Sequence, residues 1–321
     1  MRALRLEAFN ELNLLEVDLP VAEQDDILLK VSHCALCRTD AKMFRQGQRD
    51  LVLPRILGHE VFGFNEQTGE RFVIWPGEAC GVCEECLKGH ENLCSQMRIM
   101  GFHRDGGFAE YLSVSKSSVI PVPENLPGHL ACLAEPLAST LNALEQARVE
   151  KNERILIYGG GPVGLLMSLA AQSLGATAFV VEKNPPKLRK SEKFRSSLAI
   201  EGSPECRLKD FDVVVNAAPS LSIFHEGMSK LRSGGCFCLF SGFTGEGTFP
   251  VSILNEIHYR QLRLAGAYGS TRRHMEKAVL LLNLFQESVS YLVEEVIELD
   301  QIPLALEAIL SGDTLKFVAK I

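Results

Sequence analysis

Four cysteines, Cys80, Cys83, Cys86 and Cys94, fall within the fifteen residues "CGVCEECLKGHENLC". Three chemistries use thiols so concentrated: disulfides, a redox dithiol, or a metal ion. Disulfides need an oxidising compartment. The opening stretch "MRALRLEAFNELNLLEVDLP" has no basic segment followed by an apolar run, and Glu7 comes early, so no export signal is read there. The expected compartment is the cytoplasm, where thiols stay reduced. A redox pair uses two thiols and leaves two over. The spacing C-x2-C-x2-C-x7-C can close a tetrahedron of thiolates around Zn2+, and a loop folded on zinc needs little core of its own. Four merely buried cysteines fit poorly, because this polar loop offers few apolar neighbours. The sequence therefore predicts a structural zinc lobe over residues 76–98.

A second chemistry is written in "RILIYGGGPVGLLMSLAAQSLGATAFVVEK". A short apolar strand runs into Gly159, Gly161 and Gly164, spaced G-x-G-x-x-G with Pro162 and Val163 between the last two, and a helix follows. The first glycine permits a tight turn, the second lets a pyrophosphate approach the backbone, and the third allows close helix–strand packing. Phosphates then meet the free N–H groups and dipole of the helix N-terminus. Glu182, eighteen residues after Gly164, ends the next strand. A carboxylate there accepts hydrogen bonds from the ribose hydroxyls and repels a 2′-phosphate, so NAD is expected over NADP. Lys183, Lys187 and Arg189 follow closely. They either shelter a phosphate or form a solvated helix start, and the second reading is the commoner.

Three further fragments, "CALCRTD", "ILGHEVFG" and "LAEPLAST", carry zinc-competent side chains: Cys37, His59 with Glu60, and Glu135. Singly, each has a plain structural explanation. His59 suits a satisfied core histidine, and Glu135 suits the first turn of a helix, where the dipole favours an acid. Cys34 and Cys37 form a C-x-x-C, but no thioredoxin-like βαβ pattern surrounds them, and Cys34 reads as a small buried residue.

Taken together, the fragments resemble the zinc-dependent medium-chain alcohol and polyol dehydrogenases, in particular the sorbitol- and threonine-dehydrogenase-like branch. The resemblance runs in order from Cys-x-Thr-Asp through Gly-His-Glu, the four-cysteine lobe, "DGGFAEYLSV" and Glu-Pro-Leu to the glycine fingerprint and the closing "SGDTLKFVAKI". It implies a structural zinc on the four cysteines and a separate catalytic zinc on Cys37, His59 and Glu135, with Glu60 near enough to exchange onto it. One thiolate, one imidazole and one carboxylate leave an open position on the ion. Zinc acidifies a bound hydroxyl, as it lowers water from about 15.7 to about 7, and nicotinamide can then take the carbinol hydride. The resemblance gives Thr39 the role of accepting the alcohol proton; its other reading is a turn or cap contact. The implied reaction is reversible oxidation of a secondary alcohol or polyol to a ketone, with a homodimer or homotetramer as the assembly.

The chain also departs from the family. Where many relatives carry a histidine five residues after the ligand cysteine, it has Lys42, which relays a proton, meets an anionic substrate, or points to solvent. If it meets an anion with Arg45 and Arg49, the substrate is a phosphorylated polyol or a hydroxyacyl-CoA. The hairpin "FNEQTGERF" is short, and the segment between Glu182 and "FDVVVNAA" is too short for a full sheet crossover. A zinc-ribbon binding module and a silent quinone-reductase-like relative are the remaining rivals. The complete cofactor fingerprint opposes the first, and the full ligand set opposes the second.

The elements that must position these residues follow from patterning. The 321 residues suffice for two domains, and a net charge of −7 with acids and bases interspersed argues against nucleic acid or a membrane surface as partner. The first hundred or so residues read as strands, among them "LLEVDLP", "DILLKVSHCAL", "RFVIWP" and "FAEYLSV". "RILIYG", "AFVVE", "FDVVVNAA" and "CFCLFSG" are near-continuous apolar runs between helices, which suits a parallel sheet buried on both faces. The end supplies two helices and a closing strand. The expected architecture is α/β: a β-rich, GroES-like, discontinuous domain over 1–122 and 266–321, and a doubly wound Rossmann domain over 123–265, with the active cleft between them.

Overall fold

The computed structural model describes residues 1–22, 25–243 and 247–321. The chain divides into two compact units, Met1–Ala138 with Ser270–Ile321, and Ser139–Gly269. The first division falls within the helix Ala134–Ala147, whereas the sequence pattern marked the proline-rich stretch near residue 122. That stretch is tied into the first unit, since Val119–Pro121 pairs with Phe72–Ile74.

The first unit is built on a seven-stranded sheet. Its path runs Val119–Pro121, Arg71–Ile74, Glu60–Phe64, Asp26–Ala35, Lys316–Lys320 and Val293–Glu298, with Tyr111–Ser115 also pairing on Asp26–Ala35. Every pairing is antiparallel except that between the last two strands of the path. Ala35 lies opposite Glu60 on one side and opposite Val318 on the other. The chain that leaves this sheet at Leu36 and Cys37 thus emerges between the strand starts carrying Glu60 and Lys316. The register of three strands, none adjacent in sequence, brings these residues together.

A core containing Leu4, Leu29, Leu57 and Phe108 holds this arrangement. The stretch "DGGF" packs directly along "LGHE". Gly106 N–H donates to Ile56 O at 2.8 Å, Gly107 to Gly58 O at 2.8 Å and Phe108 to Leu57 O at 3.0 Å. A Cβ on Gly106 would sit 2.2 Å from Gly58 O, and Gly58 itself has φ +94°, so both positions require glycine. The two motifs form one backbone unit that fixes where His59 begins.

The second unit holds a six-stranded, wholly parallel sheet. Its order is Glu201–Ser203, Thr177–Val181, Arg154–Tyr158, Phe211–Asn216, Leu231–Leu239 and Arg263–Gly266. This is the doubly wound dinucleotide-binding order. The central strands are the apolar runs legible in the sequence. The two edge strands, Glu201–Ser203 and Arg263–Gly266, lack such runs because they are exposed or only half-buried. No helix lies between Ser203 and Phe211, which accounts for the shortened crossover.

Candidate active site

None of the ten cysteines is in a disulfide. The Sγ atoms of Cys80, Cys83, Cys86 and Cys94 all lie within 4.8 Å of one another. Cys83 and Cys86 are 3.4 Å apart, Cys80 and Cys86 4.0 Å. Thiolates about 2.3 Å from a zinc ion form a tetrahedron with edges of about 3.8 Å, so these separations suit a shared ion and are far beyond a covalent S–S bond. The short pairing of Gly77–Glu78 with Arg98–Ile99 closes the lobe at its base. Inside it, the helix Glu84–Leu87 and the turn Glu91–Leu93 bury no residue, while Val82 and Leu87 are exposed. With so little apolar core, the lobe needs another source of order. The thiols also perturb one another. Backbone N–H groups of Val82 and Cys83 pull Cys80 down to about 6, while partial burial and the neighbouring Cys83 push Cys86 up to about 12.

The second cluster joins Cys37, His59 and Glu60, whose donor atoms lie within 4.8 Å of one another. Cys37 is the N-cap of the helix Arg38–Gln46, where free N–H groups and the dipole favour an anionic ligand. His59, just before the strand Glu60–Phe64, and Glu60, its first residue, are buried. Asp40, wholly buried, organises the cluster. Its Oδ2 accepts from Cys37 N–H at 2.9 Å, and its Oδ1 accepts from Gly58 N–H at 3.2 Å and lies 3.1 Å from His59 Nδ1. Burial works to lower the His59 pKa, but the Asp40 charge and hydrogen bond, with Cys37, raise it well above the ordinary value. With Nδ1 committed to Asp40, Nε2 remains for a metal. Glu60 is wholly buried and pairs with Lys316, itself 4% exposed.

The sulfur, nitrogen and oxygen donors, gathered within 4.8 Å of one another, fit a divalent metal. Glu135, in the first turn of Ala134–Ala147, stands outside this three-residue cluster but acts electrostatically on Lys316. Thr39 is half-buried in the first turn of the Cys37-capped helix, and Lys42 is half-buried on the same helix. Arg45 is bound to Glu307 and Asn10, and Arg49 to Asp50, so both carry polar partners of their own. Cys34 is fully buried, with its thiol pushed up by burial, as a packing residue should be.

Two residues of the site escaped the sequence reading. Asp40 had a signal, since it stands at the third position of a helix capped by Cys37, where a carboxylate reaches back to the cap N–H. Lys316 had none, because its partner is 256 positions away in the chain.

In the second unit, Gly159 follows the strand Arg154–Tyr158 with φ +120°, and a Cβ there would meet Ala217 O at 3.0 Å. It sits where the strand order reverses, the place such sheets bind ligands. A Cβ on Gly164 would lie 1.9 Å from Gly159 O. Gly161 caps the helix Pro162–Ser173, with Pro162 at its first position and Val163 next, leaving the N-terminal amides free for an anion. Glu182 is 9% exposed. Its Oε2 accepts from Gly160 N–H at 2.9 Å and lies 3.6 Å from Lys187 Nζ, while Oε1 accepts from Asn184 N–H at 2.9 Å. The acid thus braces the glycine loop. Lys183 faces Glu226 at 3.8 Å.

One unit carrying a buried S, N, O cluster and a cysteine lobe, in one chain with a parallel dinucleotide-binding sheet, defines a metal-dependent dehydrogenase. The alcohol dehydrogenase GroES-like domain family matches residues 23–124. The D-altritol 5-dehydrogenase of Agrobacterium fabrum is 32% identical over 88% of this chain and 89% of its own length. The L-threonine 3-dehydrogenase of Mesorhizobium japonicum is 28% identical over 94% of this chain and 93% of its own. A zinc-binding dehydrogenase of Sinorhizobium meliloti, solved with NADP, is similar with a TM-score of 0.90 at 25% identity, covering 100% of this chain and 99% of its own. The chain belongs to the zinc-dependent medium-chain alcohol and polyol dehydrogenases, and is an NAD(P)-dependent oxidoreductase of that family. Among the described residues, no helix is long and apolar enough to cross a membrane.

Proposed function

We propose that the enzyme interconverts a secondary alcohol of a polyol and its ketone, with NAD as hydride acceptor. The observation that carries this reading is the buried cluster of Cys37, His59 and Glu60 beside Asp40. The Agrobacterium relative named for D-altritol supports a polyol as the substrate class. The arginines that would greet a phosphorylated substrate already have Glu307 and Asp50 as partners, which favours a neutral one.

In this reading the discontinuous unit is the catalytic domain and Ser139–Gly269 the dinucleotide-binding domain. Cys37 and His59 hold the catalytic zinc, with Glu135 or Glu60 as third ligand, and the four cysteines hold the structural one. When bound, the zinc supplies Lewis acidity to an alcohol oxygen and the nicotinamide supplies the hydride acceptor. Asp40 orients His59. Thr39 receives the alcohol proton. Gly159, Gly161 and Gly164 leave room for the pyrophosphate, while Glu182 favours the unphosphorylated ribose. A homodimer or homotetramer in the cytoplasm completes the reading.

The test is metal content per chain together with turnover on a polyol panel with NAD. Two zinc ions are expected, and Cys37→Ser should lose one together with activity. Retention of both ions, or activity undiminished in that variant, would overturn the assignment.

A further inference from the structure

Glu60 carries a cation of its own. Lys316 Nζ donates to Glu60 Oε1 at 2.6 Å, lies 2.6 Å from Oε2, and donates to Leu36 O at 2.9 Å. Leu36 N–H in turn donates to Phe317 O at 3.0 Å. The ammonium therefore ties the end of the strand that leads into Cys37 to the carboxylate at the start of Glu60–Phe64. An ion pair so deeply buried is weak evidence for stability, because desolvation offsets most of its attraction. Its place beside a cation-binding cluster calls for another explanation.

We propose that Lys316 is a positioning residue that competes with the catalytic metal for Glu60, holding the carboxylate back so that it exchanges onto the ion rather than binding it permanently. This rests on the metal reading of Cys37, His59 and Glu60. A carboxylate saturated by an ammonium is a weaker donor, and a fixed positive charge beside a cation site weakens cation binding. Without Lys316, Glu60 would have the metal as its counter-ion and would clamp it.

The test loads the wild-type, K316M, K316R, E60Q and E60Q/K316M enzymes with Zn2+ and follows release to a chromophoric chelator. The ion of the four cysteines serves as an internal reference phase. K316M is expected to release the other zinc at least about tenfold more slowly than wild type, because a fixed positive charge beside the ion is removed, while K316R keeps that charge and stays close to wild type. In the E60Q background the Lys316→Met change should do nothing further, because the two residues act as one unit. The metal-free K316M protein should also melt lower relative to its loaded form, since Glu60 is then a buried charge without a partner. Should K316M fail to fold, K316Q, which keeps N–H donors without charge, carries the same expectation. Unchanged or faster release, or the same effect in E60Q, overturns the proposal while leaving the metal reading intact. A wild-type chain that holds only one zinc sinks the metal reading and the proposal with it.

Discussion

Asp40 Oδ1 lies 3.1 Å from His59 Nδ1, and the same side chain accepts the backbone N–H of Cys37. One buried carboxylate thus sets both the imidazole's orientation and the helix cap that presents the thiolate. Asp40→Asn keeps the shape but removes the anion. Zinc affinity of the catalytic site is expected to fall about 10–100-fold, read by chelator competition, with the cysteine-bound ion unaffected. Equal loss of both ions would mean that Asp40 acts only through global stability.

Gly106 offers a backbone test of how the two motifs dock. In Gly106→Ala the new methyl would lie 2.2 Å from Gly58 O and 2.6 Å from Leu57 O, and neither carbonyl can swing away as a side chain would. Overpacking of this kind should destabilise the fold by about 2–3 kcal/mol and shift Gly58 and His59 with it. A melting temperature and zinc content matching wild type would refute the docking argument.

The four-cysteine lobe, with almost no buried side chain of its own, should be ordered by its ion. Cys83→Ser is expected to lose one zinc per chain and to become cleavable by protease between Gly77 and Ile99. The NAD-induced rise in melting temperature should survive, because the glycine loop belongs to the other unit. A lobe that resists proteolysis after metal loss would have to be held by contacts other than those of the sulfurs.

Cofactor choice turns on Glu182. NAD should raise the melting temperature more than NADP at equal concentration. Glu182→Gln removes the charge that repels a 2′-phosphate and frees Lys187 from its acidic partner. The NAD to NADP ratio of kcat/KM should fall at least about tenfold, the equivalent of 1.36 kcal/mol. A ratio that stays put would assign Glu182 to bracing Gly160 alone.

Acid sensitivity has one identifiable source in His33. Burial first, then His129 and Lys320, push its pKa down to about 4 from 6.5. Between those values the unfolded chain binds the proton and the folded chain does not, so stability rises with pH and is lost as pH falls through this window. After discounting for its partial exposure, the term is about 1 kcal/mol between pH 7 and pH 5. His33→Gln should lose correspondingly less stability over that range in urea titrations. An unchanged pH dependence would place the sensitivity elsewhere.

The sequence alone determined what can be read locally. Spacing of Cys80, Cys83, Cys86 and Cys94 signals a tetrahedral sulfur set because the ligands lie on one short loop. The run from Arg154 to Glu182 signals a nucleotide fold because strand, glycines, helix and acid are contiguous. Apolar runs marked the central strands of the parallel sheet, where burial on both faces leaves no room for polar residues. The tertiary structure alone decided the rest. The edge strands Glu201–Ser203 and Arg263–Gly266, half-buried or exposed along their length, carry no apolar signature, and their place is fixed by pairing with a neighbour. Lys316 meets Glu60 only because antiparallel register aligns strands far apart in the chain, and Glu60 joins Cys37 and His59 in the tight cluster while Glu135 stands outside it. Short-range chemistry is written in spacing, whereas a charge pair across 256 residues exists only once the sheet has formed.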